Sequence, residues 1–136
     1  MAARSKARKR ALDILFEAEI RSEPVLALLD ERVAGASPPV SPYAAELVRG
    51  VQAHRERIDQ LLEEHAEGWT LDRMPIVDRN VLRIGLYEMF WADDVPDAVA
   101  ISEAVLLARD LSTDASPAFV NGLLAHLLEL KPTLIA

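Results

Sequence analysis

Ile76-Val-Asp-Arg-Asn-Val-Leu-Arg-Ile-Gly-Leu-Tyr-Glu-Met-Phe-Trp91 is the stretch whose reading decides the fold class. Its Ile76, Val77, Val81, Leu82, Ile84, Leu86, Met89 and Phe90 leave little polar surface on any side of a helix. Such a helix has to be enclosed by others, so the segment predicts the central member of a helical bundle. Before it, Trp69-Thr-Leu-Asp-Arg-Met-Pro75 reads as a linker with apolar anchors at Trp69 and Leu71. After it, Asp93-Asp-Val-Pro-Asp97 breaks the helix and sets acids at the start of the next, Ala98 to Leu111, where the dipole favours them. Ser116 as N-cap and Pro117 at the first helical position predict a last helix to about Lys131, stopped by Pro132. Gly122 inside it predicts close packing against a neighbouring helix, and Asn121 a buried amide bonded to Glu103 or to the backbone.

Further toward the N-terminus, Leu12, Leu15, Phe16 and Ile20 recur at helical spacing, and Phe16, like Tyr87, reads as core. Arg4, Lys6, Arg8, Lys9 and Arg10 precede that stripe on the same pattern, as a helix end protruding beyond the core. A short helix fits Pro24 to Val33, and Gly35-Ala-Ser-Pro-Pro-Val-Ser-Pro42 is a loop. A long helix is expected over Tyr43 to Ala66, with Gly68 ending it. No segment alternates in the manner of a strand. The expectation is an all-α chain, six or seven helices in two packed sub-bundles, about 1–67 and 68–136.

The chain has 136 residues, 51% of them hydrophobic, enough for one domain's core, and no cysteine. Disulfides, thiolate metal sites and a cysteine nucleophile are therefore excluded. No run approaches the roughly 20 apolar residues of a membrane span. Acids in Leu12-Asp-Ile-Leu-Phe-Glu17 interrupt what would be the apolar part of a signal peptide, so a cytoplasmic protein is expected. The net charge of −7 conceals an asymmetry: residues 1–10 hold five bases and no acid, on an otherwise acidic body. A concentrated basic end can grip phosphates locally, because exposed charges are screened beyond about 8–10 Å.

The inventory argues against an enzyme. The histidines are His54, His65 and His126, and His54 and His65, on one expected helix, would lie about 16 Å apart, too far to share a metal. No HExxH, GxGxxG, P-loop or Gly-x-Ser-x-Gly occurs. The acid pairs Glu63-Glu64, Asp93-Asp94 and Asp72/Asp78 fit helix ends and wet faces. No cofactor or metal is expected.

Three stretches together resemble the bacterial NusB transcription antitermination factors. They are Ala7-Arg-Lys-Arg-Ala-Leu-Asp-Ile-Leu-Phe16, Val77-Asp-Arg-Asn-Val-Leu-Arg-Ile-Gly-Leu-Tyr-Glu88, and the closing pair. That pair is Val95-Pro96 with Val99-Ala-Ile-Ser-Glu-Ala-Val-Leu-Leu-Ala108, then Ser116-Pro-Ala-Phe-Val-Asn-Gly-Leu-Leu124. The blocks stand in the family's order over nearly the whole chain, and the 69–75 linker is most similar to actinobacterial members.

The resemblance implies a non-catalytic two-sub-bundle protein that pairs with the ribosomal protein NusE and binds boxA RNA. In that role it joins an RNA polymerase antitermination complex, notably on ribosomal RNA operons. By position it implies RNA contacts from Arg4, Lys6, Arg8, Lys9 and Arg10, extended by Arg79 and Arg83, which stand one helical turn apart. Because NusE-type proteins are basic, Asp93, Asp94, Asp97 and Asp114 are the acids expected to steer that partner. The chain departs from the family at Ala125, where many members carry Asp, at Asp110-Leu111, and at Ser5 within the basic run. Two alternatives stand beside this reading. One is a homodimeric helical module; the other is an RNA-binding adaptor of the kind fused to methyltransferases, disfavoured because no such domain follows Ala136.

Overall fold

A computed structural model describes residues 2–35 and 37–134. Seven α-helices and one short 3-10 turn account for its regular structure, with no strand among the described residues. They are α1 (Ala3–Arg21), α2 (Val25–Gly35), α3 (Pro42–Ala53), α4 (Arg55–His65), α5 (Ile76–Trp91), α6 (Asp97–Leu111) and α7 (Ser116–Leu134), with the turn at Leu71–Arg73. None is long and apolar enough to cross a membrane among the described residues.

The chain forms two compact units that divide between His54 and Arg55, not near Gly68. The reason lies in the segment expected to be a single helix. At His54 the backbone leaves helical geometry (φ −108°, ψ 13°). The apolar positions before the break (Leu47, Val48, Val51) belong to the first unit's core, and those after it (Ile58, Leu61, Leu62) to the second's. The spacing from Val51 to Ile58 suits one helix or two, so only packing separates them.

In the first unit α1 packs on α3 and α2 on both. Its core holds Ala7, Ala11, Leu12, Ile14, Leu15 and Ala18 of α1, Leu28 and Leu29 of α2, and Leu47, Val48 and Val51 of α3. Burial starts at Ala7 and Arg8, so the basic end does not protrude free of the core as expected. Phe16, 37% exposed, and Ile20, 55% exposed, lie outside that core. At 3.6 residues per turn they fall on the side of α1 opposite Ala11 and Ala18. Ser22 in the left-handed region (φ 53°) ends α1, its N–H and that of Glu23 capping the final carbonyls.

Glu17 ties α1 to α2, accepting from Arg32 and from Arg21 at 2.8 Å. Those bonds, Arg32's first, hold the Glu17 carboxyl below its ordinary 4.5. A lowered folded value means a contribution present above the unfolded pKa and lost as pH falls through the folded one. In denaturant titrations at a series of pH values below 4.5, Glu17→Gln should therefore show a shallower acid decline than the parent.

In the second unit α5 touches α4, α6 and α7, and every side chain from Asn80 to Met89 is buried. This is the enclosed helix that its composition demands. Gly85 makes the closest approach: a Cβ there would stand 2.9 Å from Leu124 Cδ1 and 3.3 Å from Ala104 Cβ. Gly122, expected to play that part, has nothing within 4 Å of its would-be Cβ, because it faces an open groove. Asn121 is likewise exposed rather than buried, beside Ile101, Val105 and Leu128, where water can serve its amide. Pro132 lies inside the final turn of α7 instead of stopping it.

Candidate functional site

Ten residues with five bases would repel one another in a compact core, and the fold separates them by helical rotation. Arg4 and Arg8, one turn apart, fall on the side of α1 that faces α3, while Lys6 and Lys9 point away from it and are exposed. The Arg4 guanidinium carbon stands 4.3 Å from the centre of the Tyr43 ring, and that of Arg8 stands 5.9 Å away. Ser41 caps the start of α3 next to Tyr43: its Oγ accepts from the Ala44 N–H at 3.2 Å, with Pro42 at the first turn. Arg10 donates to the Pro38 carbonyl at 3.4 Å, and its Nε is buried without a partner.

The sequence placed all five bases in one RNA-binding set. Arg4, Lys6 and Lys9 are exposed and Arg10 is half-buried, but Arg8 is only 3% exposed and belongs to the interior of the first unit. Its neighbours Ala7 and Ala11 are buried with it, so the same packing that anchors the helix withdraws that guanidinium.

Arg79 and Arg83 do not extend a cationic surface. Arg83 is 4% exposed; its Nε and Nη2 reach Asp59 at 2.8 and 3.2 Å, and its Nη1 reaches Asn80 Oδ1 at 2.9 Å. Arg79 caps the preceding segment, donating to the carbonyls of Leu71 at 2.9 Å and Met74 at 3.2 Å. Burial, and after it the charge of Arg83, lowers the Arg79 pKa, as befits a cation drawn toward the interior. The one-turn spacing did bring both guanidinium groups to one side of α5, but that side faces protein.

Of the four acids expected at a partner surface, Asp93, Asp94 and Asp114 are exposed. Asp97 is engaged within the unit, receiving Lys131 Nζ at 3.0 and 3.1 Å from the end of α7. Asp114 rides on a loop held from behind by Asp78, whose carboxylate accepts from the hydroxyls of Ser112 and Ser116. Asp78 is 3% exposed, a buried carboxylate satisfied by two hydroxyl donors.

One assembly had no signal in the linear sequence. His65 at the end of α4 and His126 on α7 meet edge-on, 5.6 Å between ring centres. Trp69, 49% exposed, stands 6.2 Å from Phe119, and the four rings line an open groove with Gly122 between them. The partners are 61 and 50 positions apart, so only the packing of α4 and its following turn against α7 joins them. Among the described residues no group of three or more His, Asp or Glu is placed to hold a metal ion.

Chemically, the first unit offers exposed cations around the first turns of α1, one of them beside a half-buried aromatic ring. That combination suits an extended polyanion with stackable groups. Comparison with known proteins gives the following similarities. The model of the NusB family matches residues 5–129. The transcription antitermination protein NusB of Thermobifida fusca is 59% identical over 131 residues, covering 96% of this chain and 92% of that one. That of Saccharopolyspora erythraea is 61% identical over 129 residues, covering 93% and 87%. Among solved structures, NusB of T. maritima superposes with a TM-score of 0.82 at 32% identity, covering 94% of this chain and 92% of that one. A chain from the crystal structure of the antitermination factors NusB and NusE in complex with dsRNA superposes with a TM-score of 0.80 at 28% identity, covering 93% and 96%.

Proposed function

The chain belongs to the NusB family, and from that premise we propose that it is a cytoplasmic, non-catalytic transcription antitermination factor. It binds boxA-type single-stranded RNA together with NusE and so helps RNA polymerase read through terminators in ribosomal RNA operons. The observation that carries the reading is the exposed trio Arg4, Lys6 and Lys9 on the first turns of α1, in a stretch without a single acid. Arg10 is the fourth member of the grip. Its Nε makes no hydrogen bond in place, and a phosphate would supply one in competition with the Pro38 carbonyl and the charge of Asp13. Asp93, Asp94 and Asp114 present negative charge to a basic ribosomal protein, and charge complementarity of that kind chiefly raises the rate of encounter.

The relative solved with NusE holds double-stranded RNA. The single strand is preferred here because bases unstacked from a duplex can be read individually, whereas an A-form major groove is closed to side chains. A salt series tests the assignment. Each phosphate neutralised on a single strand contributes about 0.7 to the logarithmic salt slope. Replacing Arg4, Lys6 and Lys9 together by Ala should flatten the slope by at least about 1.4, two phosphates' worth. Arg8→Ala belongs to a different class, since a 3% exposed side chain reports on folding first. An unaltered slope in the triple variant would remove the basic end from the mechanism. Size-exclusion chromatography run alongside separates the alternative, a homodimeric module, which would elute as a dimer indifferent to RNA.

A further inference from the structure

The basic end of α1 is more than a set of charges, because one of its arginines is held over an aromatic ring before any ligand arrives. A guanidinium carbon 4.3 Å above a ring centre places the Arg4 cation directly on the Tyr43 face. Tyr43 is itself held by the Ser41 cap and Pro42 at the first turn of α3. Arg8, at 5.9 Å from the same ring, sits one turn deeper and is buried. The long flexible side chain of an exposed arginine is thus ordered by a ring that is ordered by its helix start. Lys6 and Lys9, on the opposite side of α1, are exposed point charges suited to phosphates.

A planar guanidinium has a property that an ammonium lacks. It stacks on π-faces, and single-stranded RNA is bound in part by stacking bases on aromatic rings and on arginine planes. We infer that Tyr43 is a positioning residue of the RNA site: it presents the Arg4 plane as a stacking platform on which one nucleobase of a single strand lies. The inference rests on the RNA-binding reading above and deepens it, dividing the basic end into phosphate contacts (Lys6, Lys9) and one base contact (Arg4 on Tyr43). Ordering Arg4 in advance spares the strand part of the entropy of immobilising a long side chain.

Charge and stacking separate cleanly by experiment. The full-length chain is titrated, alone and with NusE, against a boxA-type single strand bearing 2-aminopurine in place of adenines one at a time, across a salt series. Arg4→Lys keeps the charge and removes the plane. It should bind about tenfold more weakly with an unchanged salt slope, and the fluorescence quench should be lost at one base position. Tyr43→Leu should do the same, Tyr43→Phe should bind like the parent, and Arg4→Lys with Tyr43→Leu should be no weaker than either alone. Thermal melts of each variant exclude a loss of fold, and Arg4→Lys, at an exposed position, keeps the test valid if Tyr43→Leu unfolds. Parental affinity and quench in Arg4→Lys would overturn the inference. So would a Tyr43→Leu defect that appears as a lowered slope, or that adds in full to Arg4→Lys. Lys6→Ala and Lys9→Ala report separately on the reading beneath it: if neither flattens the slope, the RNA-binding assignment fails, whatever Tyr43 does.

Discussion

Asp59→Ala is expected to destabilise the second unit by about 3 kcal/mol, the lower end of what removing one partner of a buried pair costs. Arg83 is 4% exposed and directs two nitrogens at Asp59, and no arginine inside a protein can shed its charge to escape the loss. Asn80 would remain as a partner through its Oδ1, its amide nitrogen already given to the Ile76 carbonyl at 3.0 Å. Asp59 keeps 25% of its side-chain surface, so water can reach part of the vacated site, which is why the lower end applies. Asp59 also receives Arg55 Nε at 3.0 Å, an interaction too exposed to change that figure much. Urea unfolding should show a lower midpoint with an unchanged m-value. Replacing both partners, as Asp59→Leu with Arg83→Met, should recover much of the loss, because a matched apolar pair leaves no buried charge behind. The logarithmic salt slope of RNA binding should not move in either variant. A fall of about 0.7 in the Arg83 variant would return that residue to the RNA surface.

Gly85→Val is expected to cost about 3 kcal/mol, the upper range for overpacking a well-filled core. Its Cβ alone would meet Leu124 Cδ1 at 2.9 Å and Ala104 Cβ at 3.3 Å, and two γ-carbons would follow into the same space. Leu124 is fully buried and Ala104 nearly so, leaving neither an easy retreat. Gly85→Ala should cost less than Gly85→Val, since the roughly 1 kcal/mol that a helix interior gains from losing glycine offsets part of the cost of displacing Leu124. Gly122→Ala has no such neighbour and should raise the unfolding midpoint by the propensity gain, about 0.5–1 kcal/mol. Equal effects at the two glycines would mean that α5 does not pack on α6 and α7 as described.

Those two glycines illustrate how far the chain could be read from its letters. Each stands in a helical pattern with a leucine directly after it, and nothing local says which one meets a neighbour. The same holds for the arginines. Arg4, Arg8, Arg79 and Arg83 all read as surface cations. Two lie in the interior, one on a ring and one against an aspartate, and a third is drawn back to cap a carbonyl pair. From sequence Tyr43 reads only as the first residue of a helix, because the stretch that carries Arg4 ends more than thirty positions earlier.

By itself the order of residues determined that this is an all-helical protein whose 76–91 segment is enclosed by other helices, with its positive charge gathered at the front of the first helix. Periodicity and composition are local properties, and a helix without a polar side leaves few ways to hide it. Tertiary packing alone decided where the chain divides, which glycine is a contact and which cations remain in water. It also decided that His65 meets His126 and Arg4 meets Tyr43. Those outcomes depend on rotation about each helix axis and on partners brought from distant stretches, and neither is written in the spacing of a single segment.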